Sequence, residues 1–279
     1  MQLHSFHPTN RLLPRGLKST TQFARLLALI LTAGFVAPIF GQNAASTLGG
    51  HSNRVHQFYI EAAARWQRET GSAEAGAQFA RACFERADFS TNDAQRAALA
   101  EQGIAASLRA AELDPRAPDP LFQLGRNLGQ LARTKLFTAL HLLDEMETAW
   151  RKSIALDPRH AYAGAHRSLG LLYLEAPGWP VSLGSRSKAR LHLQKAVELA
   201  PGYPENHLCW IEAQLKWGEN KAARLQLEAV AVLLQSARTN LTGESWSHQW
   251  KDWDARWKAI KAKVETAAPS STRSPRDAR

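Results

Sequence analysis

Cysteine is all but missing from this chain, with two residues in 279, Cys83 and Cys209. That scarcity excludes a disulfide-stapled fold. The two fall several helices apart in the pattern described below, beyond the ~7 Å Cα separation a disulfide tolerates. Both are expected as small buried apolar residues. The sequence also has no glycine-rich phosphate loop, no paired-cysteine motif and no His-Glu-x-x-His. Nothing nominates a nucleotide site, a zinc ribbon or a metalloprotease centre, so no catalysis, cofactor or bound metal is expected. Long apolar runs are absent too. The main apolar stretch, Leu26 to Phe40, has 15 residues and no charge, short of the roughly 20 that span a bilayer.

The net charge of +10 is unevenly spread. Residues 1–41 hold Arg11, Arg15, Lys18 and Arg25 and no acid. Elsewhere Lys and Arg alternate with acids along helical stretches, as on solvated faces. No clustered basic stripe of the kind that tracks nucleic acid is present, and no nucleic-acid partner is expected. A basic start, a short apolar core and small Gly41 read as an export signal over residues 1–41. The mature chain is then expected to begin near Gln42, in the periplasm or outside the cell, with no stable membrane insertion. Residues 42–54 are expected as a linker and residues 266–279 as a disordered tail.

What is present is a punctuation mark used three times. Ala110-Ala111-Glu112-Leu113-Asp114-Pro115, Ser153-Ile154-Ala155-Leu156-Asp157-Pro158 and Ala196-Val197-Glu198-Leu199-Ala200-Pro201 recur at intervals of 43 residues. Each closes a helical apolar pattern, because proline pushes the residue before it out of the α region. A small residue stands five before each proline, where two helices can approach. Self-similarity at a fixed period means a repeat architecture. Between the marks, the apolar spacing predicts paired helices over about 73–115, 118–158, 161–201 and 204–235, preceded by a helix over Val55–Glu69. Asp93 is the expected N-cap of the helix running to Leu113. Trp246, Trp250, Trp253 and Trp257 share one face of a last helix over 244–265, expected to cap the core.

These residues resemble the tetratricopeptide repeat. The third unit carries Leu169, Gly170, Tyr173, Ala189, Leu193, Ala196 and Pro201 at that family's positions. The second carries Leu121, Leu124, Gly125, Leu128, Trp150, Ser153 and Pro158, with Met146 where the family has a small residue. The first carries Phe79, Ala80, Cys83, Gly103, Ser107, Ala110 and Pro115. The spacing of 43 exceeds the family's 34, and the extra residues fall in Leu131–Met146 and in Ala176–Gly184. Enlarged repeats of this kind are similar to the T-component of TRAP transporters and to the regulator-of-microtubule-dynamics type. The resemblance implies an all-α solenoid of helical hairpins, wound as a right-handed superhelix with a C-terminal capping helix. It also implies that the first helix of each hairpin lines a concave groove. Carried to this sequence, the groove residues are Arg81, Phe84, Phe122, Arg126, Gln130, Arg167, Leu171, Glu205, Leu208, Glu212 and Lys216, running from a basic end at Arg81, Arg126 and Arg167 to an acidic one at Glu205 and Glu212. The chaperone-type carboxylate clamp needs Lys and Asn where Phe122 and Arg126 stand.

The expected function is therefore a non-enzymatic exported scaffold that takes a protein segment into its groove. The alternative is a small-molecule carrier or transporter accessory with an apolar cavity. Three further spots are weighed. Trp179, between Gly178 and Pro180 in the 176–184 loop, either contacts a partner or plugs the core. His141, Asp144 and Glu145 share a helical face that reads as solvated rather than metal-binding. Ser185–Lys188 reads as an N-cap rather than an anion site.

Overall fold

The computed structural model describes residues 44–135 and 139–266, with side chains from residue 50 onward. The chain is all-helical there: eleven α-helices and one 3₁₀ turn, with no strand among the described residues. In chain order the helices are α1 (Ala44–Arg68), α2 (Ala73–Ala87), α3 (Asp93–Leu113), α4 (Pro118–Ala132), α5 (Ala139–Leu156) and α6 (His160–Glu175). They continue as α7 (Arg186–Leu199), α8 (Pro204–Lys216), α9 (Asn220–Leu225), α10 (Leu227–Asn240) and α11 (Ser247–Thr266), with the 3₁₀ turn Glu244–Trp246 before α11.

Local chemistry sets the boundaries. The three punctuation marks end α3, α5 and α7 alike. The backbone N–H after each last helical residue closes onto a carbonyl four back: Asp114 onto Ala110, Asp157 onto Ser153, Ala200 onto Ala196. Proline then stands two residues beyond each helix. Pro118 and Pro204 open α4 and α8, where the missing N–H costs nothing. Ser72 caps α2 through the Ala75 N–H. Asn92, not Asp93, caps α3: its side chain accepts from the Gln95 N–H at 2.8 Å. Gly218, at φ +77°, turns the chain out of α8. The 176–184 segment is a loop between α6 and α7, tied by Gly184 N–H to Pro177 C=O and by Ser185 N–H to Tyr173 C=O.

Helices adjacent in sequence pack as pairs, α2 on α3, α4 on α5 and α6 on α7, and each pair packs on the next. The first helices also touch one another in series, α2 with α4, α4 with α6 and α6 with α8. Small residues make these approaches possible. A Cβ on Gly125 would stand 2.4 Å from the Trp150 Nε1, and one on Gly170 would stand 2.6 Å from the Leu193 Cγ. Ala196, Cys83 and Cys209 are fully buried and both thiols are free. α11 lies on α8 and α9, with Trp253 and Ile260 in the core beside Leu208 and Ile211.

One boundary differs from expectation. Residues 44–54, expected within a linker, are the start of α1. Their glycines carry no anchor of their own, but His51 and Arg54 reach the far end of the chain. His51 stacks on His248 with ring centroids 3.8 Å apart, and Arg54 pairs with Glu244 at 2.6 Å. Residues 1–41 and 267–279, expected as export signal and tail, lie outside the described residues. No helix among the described residues is long and apolar enough to cross a membrane.

Candidate functional site

A cleft of about 630 Å³ runs along the first helices of successive pairs. Arg81 and Phe84 come from α2, Phe122 and Arg126 from α4, Arg167 and Leu171 from α6, Tyr203 and Glu205 from the start of α8. His51 and Val55 of α1 face Trp246, His248 and Trp253 across the remaining side. The lining thus returns on itself from the last element to the first.

Charge in this cleft is balanced unevenly. Its five carboxylates each have a cationic or imidazole partner. Glu85 pairs with Arg81 at 2.8 Å, Asp88 with Arg133 at 3.1 Å and Asp119 with His160 at 3.0 Å. Glu205 and Asp252 share Arg256, at 2.6 and 3.2 Å. Two of the cleft's guanidiniums have no carboxylate within salt-bridge distance among the described residues: Arg126 and Arg167. Arg126 stacks on Phe84, 3.7 Å from the ring centroid, and donates to Gln123 Oε1 at 3.0 Å. Burial lowers its pKa to about 10, against the opposing charge of Glu85. Arg167 donates to Asn206 Oδ1 at 2.7 Å and lies over the Tyr203 ring. A guanidinium stacked by one face keeps its in-plane N–H groups for a planar anion. The carboxylates are already satisfied. Burial pulls the Asp119 carboxyl up, but hydrogen bonds from His160 and Gln123 hold it below its ordinary range. Burial likewise opposes ionisation of Glu205, and Arg256 and Arg167 outweigh it.

The lip of the cleft is strained. Ala161, Tyr162 and Ala163 take left-handed backbone angles, with φ of 50°, 57° and 58°. Such angles cost an L-residue roughly 1–2 kcal/mol each and persist only where neighbours enforce them. Here Asn206 Nδ2 donates to the Tyr162 carbonyl at 3.1 Å, and the Tyr162 ring stacks on Tyr203, 4.3 Å between centroids. The result places an aromatic pair beside Arg167.

Of the expected groove residues, the fold brings Arg81, Phe84, Phe122, Arg126, Arg167, Leu171 and Glu205 to this cleft. The others stand elsewhere. Gln130 is fully buried, donating to Asp88 and to the Phe84 carbonyl, so it ties α4 to α2. Leu208 is fully buried in the cluster under α11. Glu212 holds Arg256 through Nε and Nη2, at 2.9 and 2.8 Å. The acidic end expected at Glu205 and Glu212 is therefore tied up by Arg256, which those two carboxylates share with Asp252. Trp179 plugs nothing: it is 88% exposed on its loop and does not line the cleft.

Several lining residues were not foreseen, chiefly His51, Asp119, His160, Tyr203 and His248. Asp119 and Tyr203 flank the prolines that open α4 and α8, a positional signal that the groove pattern does not weigh. Arg256 sits at helical spacing between Trp253 and Ile260, a charge on an apolar face that asks for a buried acid. Of the remaining spots, His141 bonds to Glu145 in the open, and no group of three metal-ligating side chains occurs among the described residues. Ser185 caps α7 through Lys188 N–H. No protein-family model matches the chain, and no curated protein matches it in sequence.

Proposed function

We propose that this chain is a solenoid of tetratricopeptide-type hairpins, without chemistry of its own, that holds an acidic protein segment in its central cleft. One observation carries the reading: every cleft carboxylate has a cationic or imidazole partner, while Arg126 and Arg167 have no carboxylate within salt-bridge distance among the described residues. A buried cation without a counter-ion is costly, and an incoming carboxylate removes that cost. The aromatic rings beside both arginines suit apolar side chains interleaved with the acids. The serial contact of first helices and the close approaches at Gly125 and Gly170 support the repeat assignment. α11, with its buried tryptophans, serves as the terminal cap that a solenoid requires. The basic, then apolar, start of the sequence supports export to the periplasm or beyond.

The test uses a fluorescein-labelled peptide alternating Glu with Phe or Leu, and its Gln counterpart. Fluorescence anisotropy should show binding of the Glu peptide alone, weakening with salt. Arg167→Gln should weaken it on the order of tenfold, the value of a charge-assisted hydrogen bond, with helical circular dichroism unchanged. Equal binding of both peptides, or of wild type and variant, would remove the arginines from recognition. Mass spectrometry of the secreted or envelope protein should find no peptide covering Leu26 to Phe40.

A further inference from the structure

The loop between α6 and α7 presents an aromatic residue that the fold does not use. Trp179 is 88% exposed and stands outside the cleft. Its exposure is built in. Gly184 N–H donates to the Pro177 carbonyl at 2.8 Å, and the Val181 and Ser182 N–H groups both reach the Gly178 carbonyl, at 3.1 and 3.3 Å. The two sides of the neck approach so closely that a Cβ on Gly184 would stand 2.1 Å from the Ala176 carbonyl oxygen. Pro177 and Pro180 fix φ before and after Trp179. The backbone thus closes on itself and holds the indole out, with Val181 38% exposed beside it. An indole left in water forgoes the burial its large area offers, and a partner surface restores it.

We propose that this loop and the start of α7 dock on the surface of an anionic lipid bilayer, with Trp179 at the headgroup level and Arg186 and Lys188 against lipid phosphates. Tryptophan favours the boundary between lipid and water because its ring is apolar and its N–H needs a polar partner. The loop from Ala176 to Ser185 holds no charged residue, so sinking its tip desolvates no charge. None of these residues lines the cleft, so the docked molecule keeps its cleft free, whether or not an acidic segment binds there.

Charge selects the lipid. Residues 176–197 hold Arg186, Lys188, Arg190 and Lys195 and no Asp or Glu. The acids that meet these cations lie outside that stretch. Glu198 takes Lys195, and Glu219 at the start of α9 takes Arg186 and Arg190 together. Glu175 of α6 takes Lys216. Lys188 lies over the Tyr173 ring, 5.0 Å from its centroid. Glu147 of α5 feels the Lys188 charge but is held by Arg151 and the Tyr173 hydroxyl. The Lys188 ammonium and one of the two guanidiniums on Glu219 are therefore in excess. The bridge between Gly178 and Gly184 sets Trp179 one residue beyond the neck of the loop and Arg186 two residues beyond it on the other side, so the surplus charge lies next to the indole. Leu191, three residues after Lys188 and 63% exposed, extends the apolar part along the same helix face. Anionic headgroups attract such cations close to the surface, and salt screens the attraction.

The experiment places an environment-sensitive dye on Val181→Cys. Cys83 and Cys209 are buried and should resist it. Vesicles of phosphatidylcholine with phosphatidylglycerol should brighten and blue-shift its emission, pure phosphatidylcholine vesicles should not, and added salt should reverse the change. The dye reports the loop itself. The same dye on Leu108→Cys, exposed on α3, should stay in water. Lys188→Glu should weaken vesicle binding by about tenfold, the effect of reversing one charge at an anionic surface. Trp179→Ser should weaken it by about as much, with helical circular dichroism unchanged in both. Lys258→Glu, on an exposed face of α11, should change it far less. A dye on Val181→Cys that ignores anionic vesicles, an equal response to neutral ones, or full binding by Trp179→Ser would each overturn the proposal. So would lipid-free self-association that Trp179→Ser abolishes in sedimentation, which would give the indole to a second copy of the chain.

Discussion

Arg256→Met is the substitution whose consequence is best defined. The Arg256 guanidinium is 6% exposed and serves three carboxylates. Nη1 reaches Glu205 at 2.6 Å and Asp252 at 3.2 Å, while Nε and Nη2 grip Glu212. Its removal leaves Glu205, 7% exposed, in the core with the Trp253 indole N–H at 2.5 Å and the weak Cys209 thiol as donors. Methionine is near the arginine stem in volume, so the loss is electrostatic rather than a cavity. Breaking one side of a buried pair costs about 3–5 kcal/mol. At ~2–4 °C per kcal/mol for a chain of this length, the melting temperature should fall by about 10 °C. Glu205→Gln added to Arg256→Met removes the stranded charge and keeps an acceptor for Trp253, so most of the loss should return. The pH dependence has a definite sign. In wild type the Glu205 pKa lies below its ordinary value, so its contribution is present above about pH 4.5 and lost as pH falls through the lowered value. Without Arg256, burial is opposed only by Arg167 and the Trp253 N–H, so the neutral acid is favoured more than in wild type. The deficit should therefore be largest at neutral pH and shrink in acid. Thermal unfolding by circular dichroism at pH 7 and pH 4.5 measures it. A double variant as unstable as the single, or a deficit equal at both pH values, would refute the argument.

Three more outcomes follow from the geometry. Gly170→Leu drives a side chain into Leu193 and the α7 backbone, and at least the about 1–3 kcal/mol of overpacking should appear in thermal melts, while Lys258→Leu on an exposed face should change little. Asp252 has a pKa raised to about 6 by burial, against the charge of Arg256; a raised acid weakens the fold as pH climbs from about 4 to 6, so Asp252→Asn should stabilise at pH 7 and flatten urea-derived stability across that window. Arg126→Met removes a buried cation without a carboxylate and keeps contact with Phe84, so melting should rise or hold while peptide anisotropy is lost, the exchange expected where a site is kept at the expense of stability.

The sequence by itself determined the helices and their order. Proline after Glu-Leu-Asp, Ala-Leu-Asp and Glu-Leu-Ala, small residues at Gly125, Gly170 and Ala196, and apolar spacing of three and four are signals within a turn or two of chain. Helix formation obeys signals at that range. It also placed Arg81, Phe84, Phe122, Arg126, Arg167 and Leu171 on first helices, which tertiary packing then gathered round one cleft. Only the tertiary structure decided which charges remain unpaired. Glu205 meets Arg256 across 51 residues of sequence, and Gln130 meets Asp88 across 42; neither partner is recognisable from its neighbours in the chain. The same holds for α1, whose Gly, Ser and Asn read as a linker because local propensity is low there. Arg54 and Glu244 lie 190 residues apart, and their meeting depends on the accumulated rotation of every hairpin between them. A small difference in packing angle at each pair, invisible in a repeat motif, decides whether such a series stays an open groove or closes on itself.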